Sequence, residues 1–557
     1  MMAGPLRAQT IPPNLLPPPR PTPQAPPTPP PLPPPTDLLQ PTPTPTTPEK
    51  LPNTVPGRIT VKRFEVVGST VFSPKTLAKV TAPFTNRPLS FTEVLQVRSA
   101  LTQLYLDKGY VTSGAFIPPQ TFNRGVVKIQ VVEGRLEAIN VKGTRRLNPK
   151  YVRSRLAIAT SKPLNRNRLL EALQLLQLNP LIKNISAELS AGARPGTSLL
   201  EVQVTEAKTF STPITIDNDR DPSVGSFQRG VQLNEANLLG LGDGLSVGYS
   251  NTDGSNNLDA SYTLPLNPRN GTLNLSYGNS WSNVIEPPFD ILKIKANFRY
   301  YDVTLRQPVF QTPSQDFALG LTASRRESDT SIRPPGTSRI PYPLLPGSDN
   351  NGRTRISALR FFQEWTQRSS REVLAARSQF SLGLGAINAT IHTTAPDSRF
   401  FAWQGQGQWV RLLAPDTLLL LRGNLQLATR ALVPLEQFGL GGPESVRGYR
   451  QYALLTDNGA FFSAELRLPI YRASQGRSVL QLAPFVDVGT AWNNSRRNDL
   501  GSNTPNTLAS VGLGLRWQLG DNLTARFDWG IPLVDISSRK RTWQENGLYF
   551  SVQYNPF

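Results

Sequence analysis

The sequence contains no cysteine and a single histidine, His392. A disulfide framework is therefore excluded, and so is any Cys- or His-rich metal site. No run approaches the ~18–20 apolar residues that a spanning helix needs. Acidic residues are the minority charge, with 39 Asp+Glu against 59 Lys+Arg and a net charge of +20. That excess suits a nucleic-acid binder, a barrel with a basic lumen or a surface facing anionic lipid, and composition does not separate them. Catalytic signatures are missing as well: there is no His-Glu-x-x-His, no P-loop and no Gly-x-Ser-x-Gly in a suitable setting. His392 lies in the loop-like IHTTAPDSR, where an exposed ring is expected, and no enzyme activity, metal or cofactor is assigned. Asp217, Asp219 and Asp221 read as a solvated turn, with calcium as the alternative.

The start, MMAGPLRAQTIPP, carries Arg7 but no apolar h-region. An exported chain with this start is expected to be already processed or to begin upstream. The stretch around Ala8 and Gln9 resembles the tail of an export signal.

At 557 residues the chain should hold at least two domains. Residues 1–56 form a Pro-rich leader with runs such as PPPRPTPQAPPTPPPLPPP. Proline fixes φ and withholds a donor, so a disordered, semi-rigid linker is expected there. Docking to a reader of polyproline helices is the alternative.

An internal repeat follows. Phe64-Glu-Val66-Val-Gly68 is echoed 75 positions later by Ile139-Asn-Val141-Lys-Gly143, and Ser73-Pro74 by Asn148-Pro149. Each pair puts an N-cap residue before Pro at the first helical position. The copies close with VVKIQVVEG (126–134) and LLEVQVTEA (199–207), so Glu133 corresponds to Glu206. Ser90 and Glu93 form a capping-box pattern, followed by Val94, Val97, Leu101 and Leu104 on one helical face. In the second copy Asn165 precedes Leu169, Leu173 and Leu176. Each copy is expected to run strand, short helix, longer helix, strand, strand, with boundaries at 57–134 and 135–207.

From 208 to 557 helical periodicity gives way to alternating segments between Gly, Asn, Asp and Pro clusters. In ILKIKANFRY (291–300), Leu292, Ile294, Ala296, Phe298 and Tyr300 fall on one face, with Lys293, Lys295, Asn297 and Arg299 on the other. Similar patterns recur at Leu513/Leu515/Trp517, at Leu523/Ala525/Phe527/Trp529 and at Leu548/Phe550/Val552/Tyr554. Strands of ~10 residues with short turns and longer outer loops would make about sixteen of them in this length. An open sheet so wide would expose edges that a closed barrel removes. The expected fold class is a membrane β-barrel of about sixteen antiparallel strands preceded by two small α+β domains.

Several segments resemble a known family. SALTQLYLDKGYVTSGAFIPPQ (99–120) with GVVKIQVVEG (125–134) is similar to the first POTRA domain of two-partner secretion transporters, the haemolysin- and filamentous-haemagglutinin-exporting barrels. ANLLGLGDGLSVGYS (236–250) looks like their first barrel hairpin, although GLGDG alone reads only as turn chemistry. GGPESVRGYR (441–450) resembles their most specific signature and PFVDVGTAW (484–492) a second one. The resemblance implies a loop folded into the lumen, with Val446, Arg447, Gly448 and Tyr449 at its tip. It further implies an acidic partner for Arg447 on the barrel wall, and Asp487 of the Phe485, Asp487, Gly489 match is the counterpart. Taken alone, Arg447 and Asp487 would read as ordinary exposed charges.

The resemblance also implies a function. A secreted exoprotein would bind unfolded to the periplasmic POTRA domains by strand addition and leave through the barrel pore. The expected setting is the cell outer membrane, with lipid and lipopolysaccharide outside, no nucleic acid, and a monomeric barrel whose net positive charge is concentrated in the lumen. Phe557 would serve the barrel assembly machinery as the C-terminal signal, although Asn555 stands where another aromatic is usual. The plug helix of related transporters is doubtful, because residues 1–56 are too rich in proline. The alternatives are an outer-membrane insertase or assembly factor, a passive porin, and a basic nucleic-acid-binding module.

Overall fold

A computed structural model describes residues 38–40, 59–120, 125–160, 163–343, 345–473, 478–494, 505–536 and 541–557. The linker expected in 1–56, and with it the question of a plug helix, lies outside these residues except for Leu38 to Gln40. Contacts divide the chain after Lys208 into an arm and a barrel.

The arm begins with β1 (Leu39–Gln40). Its first α/β unit holds β2 (Ile59–Val61), β3 (Arg63–Val67), α1 (Pro74–Thr81), β4 (Arg87–Leu89), α2 (Phe91–Asp107), β5 (Gly114–Phe116) and β6 (Val126–Val132). The second holds β7 (Arg135–Lys142), α3 (Pro149–Ala159), α4 (Arg166–Gln177), β8 (Ile182–Ala191) and β9 (Thr197–Glu206). Short polar side chains start the helices. Ser73 accepts the Thr76 N–H at 3.2 Å, and Asn148 accepts that of Lys150 at 2.9 Å. Ser90 and Glu93 satisfy each other's backbone N–H groups in a full capping box. Each such cap contributes about 1 kcal/mol. Val94, Val97 and Leu101 are buried on α2, joined by Tyr105, while Leu104 packs beside them half-buried.

The two copies reuse one device. Glu133 accepts the N–H groups of Thr70 and Val71 at 2.7 and 3.0 Å. Its counterpart Glu206 accepts those of Arg145, Arg146 and Leu147 at 2.6 to 3.1 Å. In each unit a carboxylate at the end of the last strand thus fixes the turn that enters the first helix.

In the second unit the sheet order is β1-β8-β9-β7. The piece of leader at Leu39 and Gln40 pairs in parallel with Ala187 and Glu188, and Leu38 is buried. That short segment therefore belongs to a sheet, which its proline-rich surroundings gave no reason to expect.

The barrel ladder opens with β10 (Phe210–Ser211), β11 (Ile214–Asp217), β12 (Gln228–Glu235), β13 (Gly244–Asn251), β14 (Ser255–Pro265) and β15 (Thr272–Asn283). It continues through β16 (Lys295–Gln311), β17 (Gln315–Ile332), β18 (Ile340–Pro341), β19 (Arg353–Arg368), β20 (Glu372–Leu384), β21 (Phe401–Ala414) and β22 (Thr417–Ala428). After a hairpin of β23 (Phe438–Leu440) and β24 (Leu454–Thr456) come β25 (Asn458–Arg472), β26 (Ser478–Trp492), β27 (Thr507–Leu519), β28 (Leu523–Pro532) and β29 (Leu548–Tyr554). Sixteen of these go round in antiparallel order and close where β11 pairs with β29; β10 and β18 are short side pairings. Closure leaves no open edge on the wall.

Leu305, Leu321, Phe361, Trp365, Leu513, Trp517 and Trp529 are among the large apolar residues exposed on the outer face. Each is at least 39% exposed, which a water-facing β domain would avoid on this scale. The reading of residues 291–300 needs correction. Phe289–Leu292 is a 3₁₀ turn, Lys293 has φ 46°, and the strand begins only at Lys295. Ala296 and Phe298 then point inward, where Phe298 packs with Leu432, Val433 and Leu435 of the β22–β25 loop. The outward apolar series on this strand starts at Tyr301 and continues through Val303 and Leu305. Alternation identified two faces but not which of them was inside. GLGDG is turn chemistry: Asp243 is buried and accepts the Leu239 and Leu241 N–H groups.

Candidate functional site: a loop pinned inside the barrel

The connection from β22 to β25 folds into the lumen and is held at three places. At its root, Glu436 Oε1 accepts Arg326 Nη1 and Arg360 Nη2, each at 2.7 Å. Arg326 comes from β17 and Arg360 from β19, and both are at most 5% exposed. Leu432, Val433 and Leu435 cover this pair with apolar contacts to Ile356, Phe400 and Ala402.

The tip carries Val446, Arg447, Gly448 and Tyr449. Val446 is buried with Phe438, Leu440, Leu454, Phe461 and Leu508. Arg447 is 0% exposed. Its Nε lies 2.7 Å from Asp487 Oδ2 and its Nη2 2.9 Å from Asp487 Oδ1, a bidentate match of fork to carboxylate. Nη1 reaches Glu465 Oε2 at 2.7 Å and Asp528 Oδ1 at 3.4 Å. The guanidinium carbon sits 3.4 Å from the centre of the Phe485 ring. One cation therefore faces three carboxylates and a π face, and Arg516 and Arg467 supply further positive charge to Glu465. A lone buried arginine would be very costly; within this set every charge has a partner.

Glycines let the tip approach. Gly448 has φ 100°, a conformation that side-chain-bearing residues rarely adopt. A Cβ on Gly530 of β28 would lie 2.5 Å from Gly448 N, so the bare backbone there is the seat of the tip. Gly489 leaves room for Leu440 of the inner hairpin, since a Cβ would come within 2.5 Å of its Cδ1. The Tyr449 hydroxyl lies 2.9 Å from the carbonyl oxygens of Ala509 and Val534. Tyr549 accepts the Gly448 N–H at 2.9 Å and donates to the Tyr449 carbonyl.

The third anchor is Arg450, which forms a bidentate pair with Glu286 at 2.9 and 3.0 Å and also meets Asp221 and Glu545. Asp221 is 4% exposed, so the expectation of a solvated turn fails for it, while its half-buried neighbour Asp219 lines a lumen cavity. Among the described residues no group of three or more His, Cys, Asp or Glu side chains is placed to hold a metal ion.

The structure thus brings Arg447, Phe485 and Asp487 together and places Gly489 beneath the hairpin. Phe557 lies apart, beyond β29 and 62% exposed, with its ring against Phe210. Asn555 ties the adjoining backbone by accepting the Thr212 N–H. His392 is half-buried in a loop where its N–H donates to Asp397. Sequence reasoning missed Glu465, Asp528, Glu436, Arg326, Arg360 and Arg450. Charges at alternate positions of ELRL and ARFDWG were the available signal, since on a lipid-facing strand they can only point inward.

The expectation of a basic lumen also needs correction. Residues 57–207 carry 22 Lys+Arg against 9 Asp+Glu, a net of +13, whereas residues 208–557 carry 34 against 28, a net of +6. Most of the excess charge lies in the arm, and the barrel arginines are largely matched by carboxylates.

Comparison with known proteins completes the description. The family model described as haemolysin secretion/activation protein ShlB/FhaC/HecB matches residues 196–517, and a POTRA domain model of ShlB type matches residues 59–134. The outer membrane transporter CdiB of Dickeya dadantii is 24% identical over 491 residues, covering 84% of this chain and 83% of its own. The heme/hemopexin transporter protein HuxB of Haemophilus influenzae is 22% identical over 489 residues, covering 84% and 82%. In fold, CdiB from Escherichia coli superposes with a TM-score of 0.69 at 22% identity, over 92% of this chain and 93% of that one. BamA from Haemophilus ducreyi lacking POTRA domains 1–3 gives 0.53 at 15% identity, over 90% of this chain and 100% of that one. With more than half of its length matched by the family model, the chain belongs to the ShlB/FhaC/HecB family of two-partner secretion transporters, β-barrels of the outer membrane with their POTRA domains in the periplasm.

Proposed function

We propose that the chain binds an unfolded exoprotein on its POTRA domains and secretes it through the barrel when the lumen loop is released. The observation that carries this reading is the loop itself. Its tip is held by charge pairs and a bare glycine seat rather than by a ladder continuous with the wall. Ion pairs of this kind exchange for water once a polar chain hydrates the lumen. The loop can then move while the sixteen-strand ladder stays closed.

Strand addition is the mode of capture, because an extended chain offers its backbone to any unpaired sheet edge. In the second arm sheet, β1 covers the outer edge of β8. The edges of β7, and of β3 and β5 in the first unit, end their sheets among the described residues. The net charge of +13 on the arm favours a passenger with acidic stretches and speeds its arrival. Neither step needs a nucleotide, metal or cofactor. A monomer, with the outward apolar band against lipid and lipopolysaccharide, completes the reading. Phe557 would present the nascent barrel to the assembly machinery.

Insertion of other barrels is the competing reading, raised by the BamA-like fold. The two cases separate in cells. Deletion of this gene should leave a co-encoded exoprotein inside the cell while the levels of other outer-membrane barrels stay unchanged. Normal export of that protein by the deletion strain would refute the secretion reading.

A further inference from the structure

The ladder closing the barrel is short. β11 and β29 pair at four positions, Ile214 to Asp217 against Tyr554 to Ser551, while β28 and β29 pair at seven. Beyond those four the Asn218 N–H still donates to the Phe550 carbonyl at 3.2 Å, and side chains carry the rest. Asn218 Nδ2 donates to the Leu548 carbonyl at 2.9 Å, and Asn218 Oδ1 accepts the Phe550 N–H at 2.8 Å. Gln544 Nε2 donates to the carbonyls of Asn218 and Arg220. Four loop residues grip this join. The Gln451 N–H donates to Gln544 Oε1 at 2.8 Å, Gly448 and Tyr449 hold Tyr549, and Arg450 completes the set. Of its carboxylate partners, Asp221 follows β11, Glu545 precedes β29, and Glu286 stands in the β15–β16 connection.

From this we infer that Arg450 is a staple across the barrel seam, so that the loop which fills the lumen also holds the first and last strands together. The two loop arginines have separate tasks. Arg447 fixes the tip to β25, β26 and β28, whereas Arg450 reaches carboxylates on both sides of the closing pair. Its guanidinium is 19% exposed, Asp221 is 4% and Glu545 is 3%, so the bridge is shielded from bulk screening. Asp221 is itself fixed by accepting the Ser223 N–H, and Glu545 by accepting those of Arg541 and Thr542. Both carboxylates therefore transmit the pull of Arg450 to backbone on their own side. When the tip leaves its seat, the staple leaves with it. The seam then rests on four residue pairs, the backbone bond from Asn218 to Phe550, the bond from Thr212 to Asn555 and the Asn218 and Gln544 amides, and it is among the most thinly paired lines in the wall. This concerns the barrel alone and stands whether or not the arm captures the passenger.

Hydrogen–deuterium exchange on the full-length protein in detergent micelles tests the assignment. Arg450→Gln should speed exchange in residues 214–217 and 548–554 by about tenfold, the weight of a lost charged hydrogen bond, and leave β19–β21 unchanged. Arg450→Lys keeps the charge without the fork and should restore part of the protection. A disulfide between Asp217→Cys and Ser551→Cys should abolish the difference between Arg450→Gln and the parent. Should Arg450→Gln fail to assemble, Glu545→Gln removes one side of the staple and should show the same localised loosening. Unchanged seam exchange in these variants would overturn the proposal, as would an increase spread evenly round the barrel.

Discussion

The Arg447 guanidinium and the Asp487 carboxylate meet in two parallel hydrogen bonds of 2.7 and 2.9 Å, and neither side chain is exposed to water. The Arg447 N–H adds a third bond to the same carboxylate. Removing one partner strands the other, at a cost of about 3–5 kcal/mol for a buried pair. Asp487→Asn should therefore undock the tip while the barrel stays assembled. Protease sensitivity confined to residues 441–450, with normal gel mobility of the folded barrel, is the expected result. Because both changes break one interaction, Arg447→Gln added to Asp487→Asn should cost much less than the two losses combined.

Gly530 gives a steric counterpart to that electrostatic test. Gly530→Val leaves every charge in place but puts a side chain where the Gly448 backbone rests. Loop protection should fall as far as in Asp487→Asn, and secretion should fall with it. Wild-type protection in Gly530→Val would show that the tip is not seated there.

The paired glutamates of the arm make its stability depend on pH. Burial alone would raise the Glu133 pKa, but the hydroxyl of Thr70 and the N–H groups of Thr70 and Val71 outweigh it and hold the carboxyl below the usual value of 4.5. Glu206 is held below that value in the same way, by the N–H groups of Leu147, Arg145 and Arg146 against its own burial. A folded pKa lowered in this way contributes stability that is complete above 4.5 and is lost as pH falls through the folded value. Acid should accordingly loosen residues 69–73 and 144–148 before the helix cores. Glu133→Gln should remove that acid response from the first unit only, as read by amide exchange across pH 6 to 3.

Charge on the arm should appear in kinetics rather than in final affinity. With +13 on residues 57–207, association with an acidic unfolded passenger should slow several-fold between low salt and roughly 0.3 M salt, with dissociation little changed. Stopped-flow binding at a series of salt concentrations measures this. A salt-independent association rate would remove charge from the account.

How much could be read beforehand varies with how local the cause is. Helix starts at Ser73, Ser90, Asn148 and Asn165 were legible because a cap is written within three residues of the helix it begins. Burial of Tyr105 rather than Leu104 was not, because it depends on Ser69 and Glu133, to which the Tyr105 hydroxyl bonds. Arg447 and Asp487, 40 positions apart, could be put together only through the resemblance of their flanking motifs. Arg450 has partners 164 and 229 positions upstream in turns with no pattern of their own, so nothing local announced them. The side of Phe298 was unreadable for a different reason. Lumen and lipid faces share one period, and which is apolar changes where the loop fills the interior.

The absence of native cysteine allows the central claim to be tested with an engineered lock. Leu440→Cys with Gly489→Cys joins the inner hairpin to the wall at a point where the two already touch. Secretion of the exoprotein by this variant should stop under oxidising conditions and resume on reduction, while the Leu440→Cys single variant exports throughout. Undiminished export with the disulfide formed would contradict passage through a lumen that this loop must vacate.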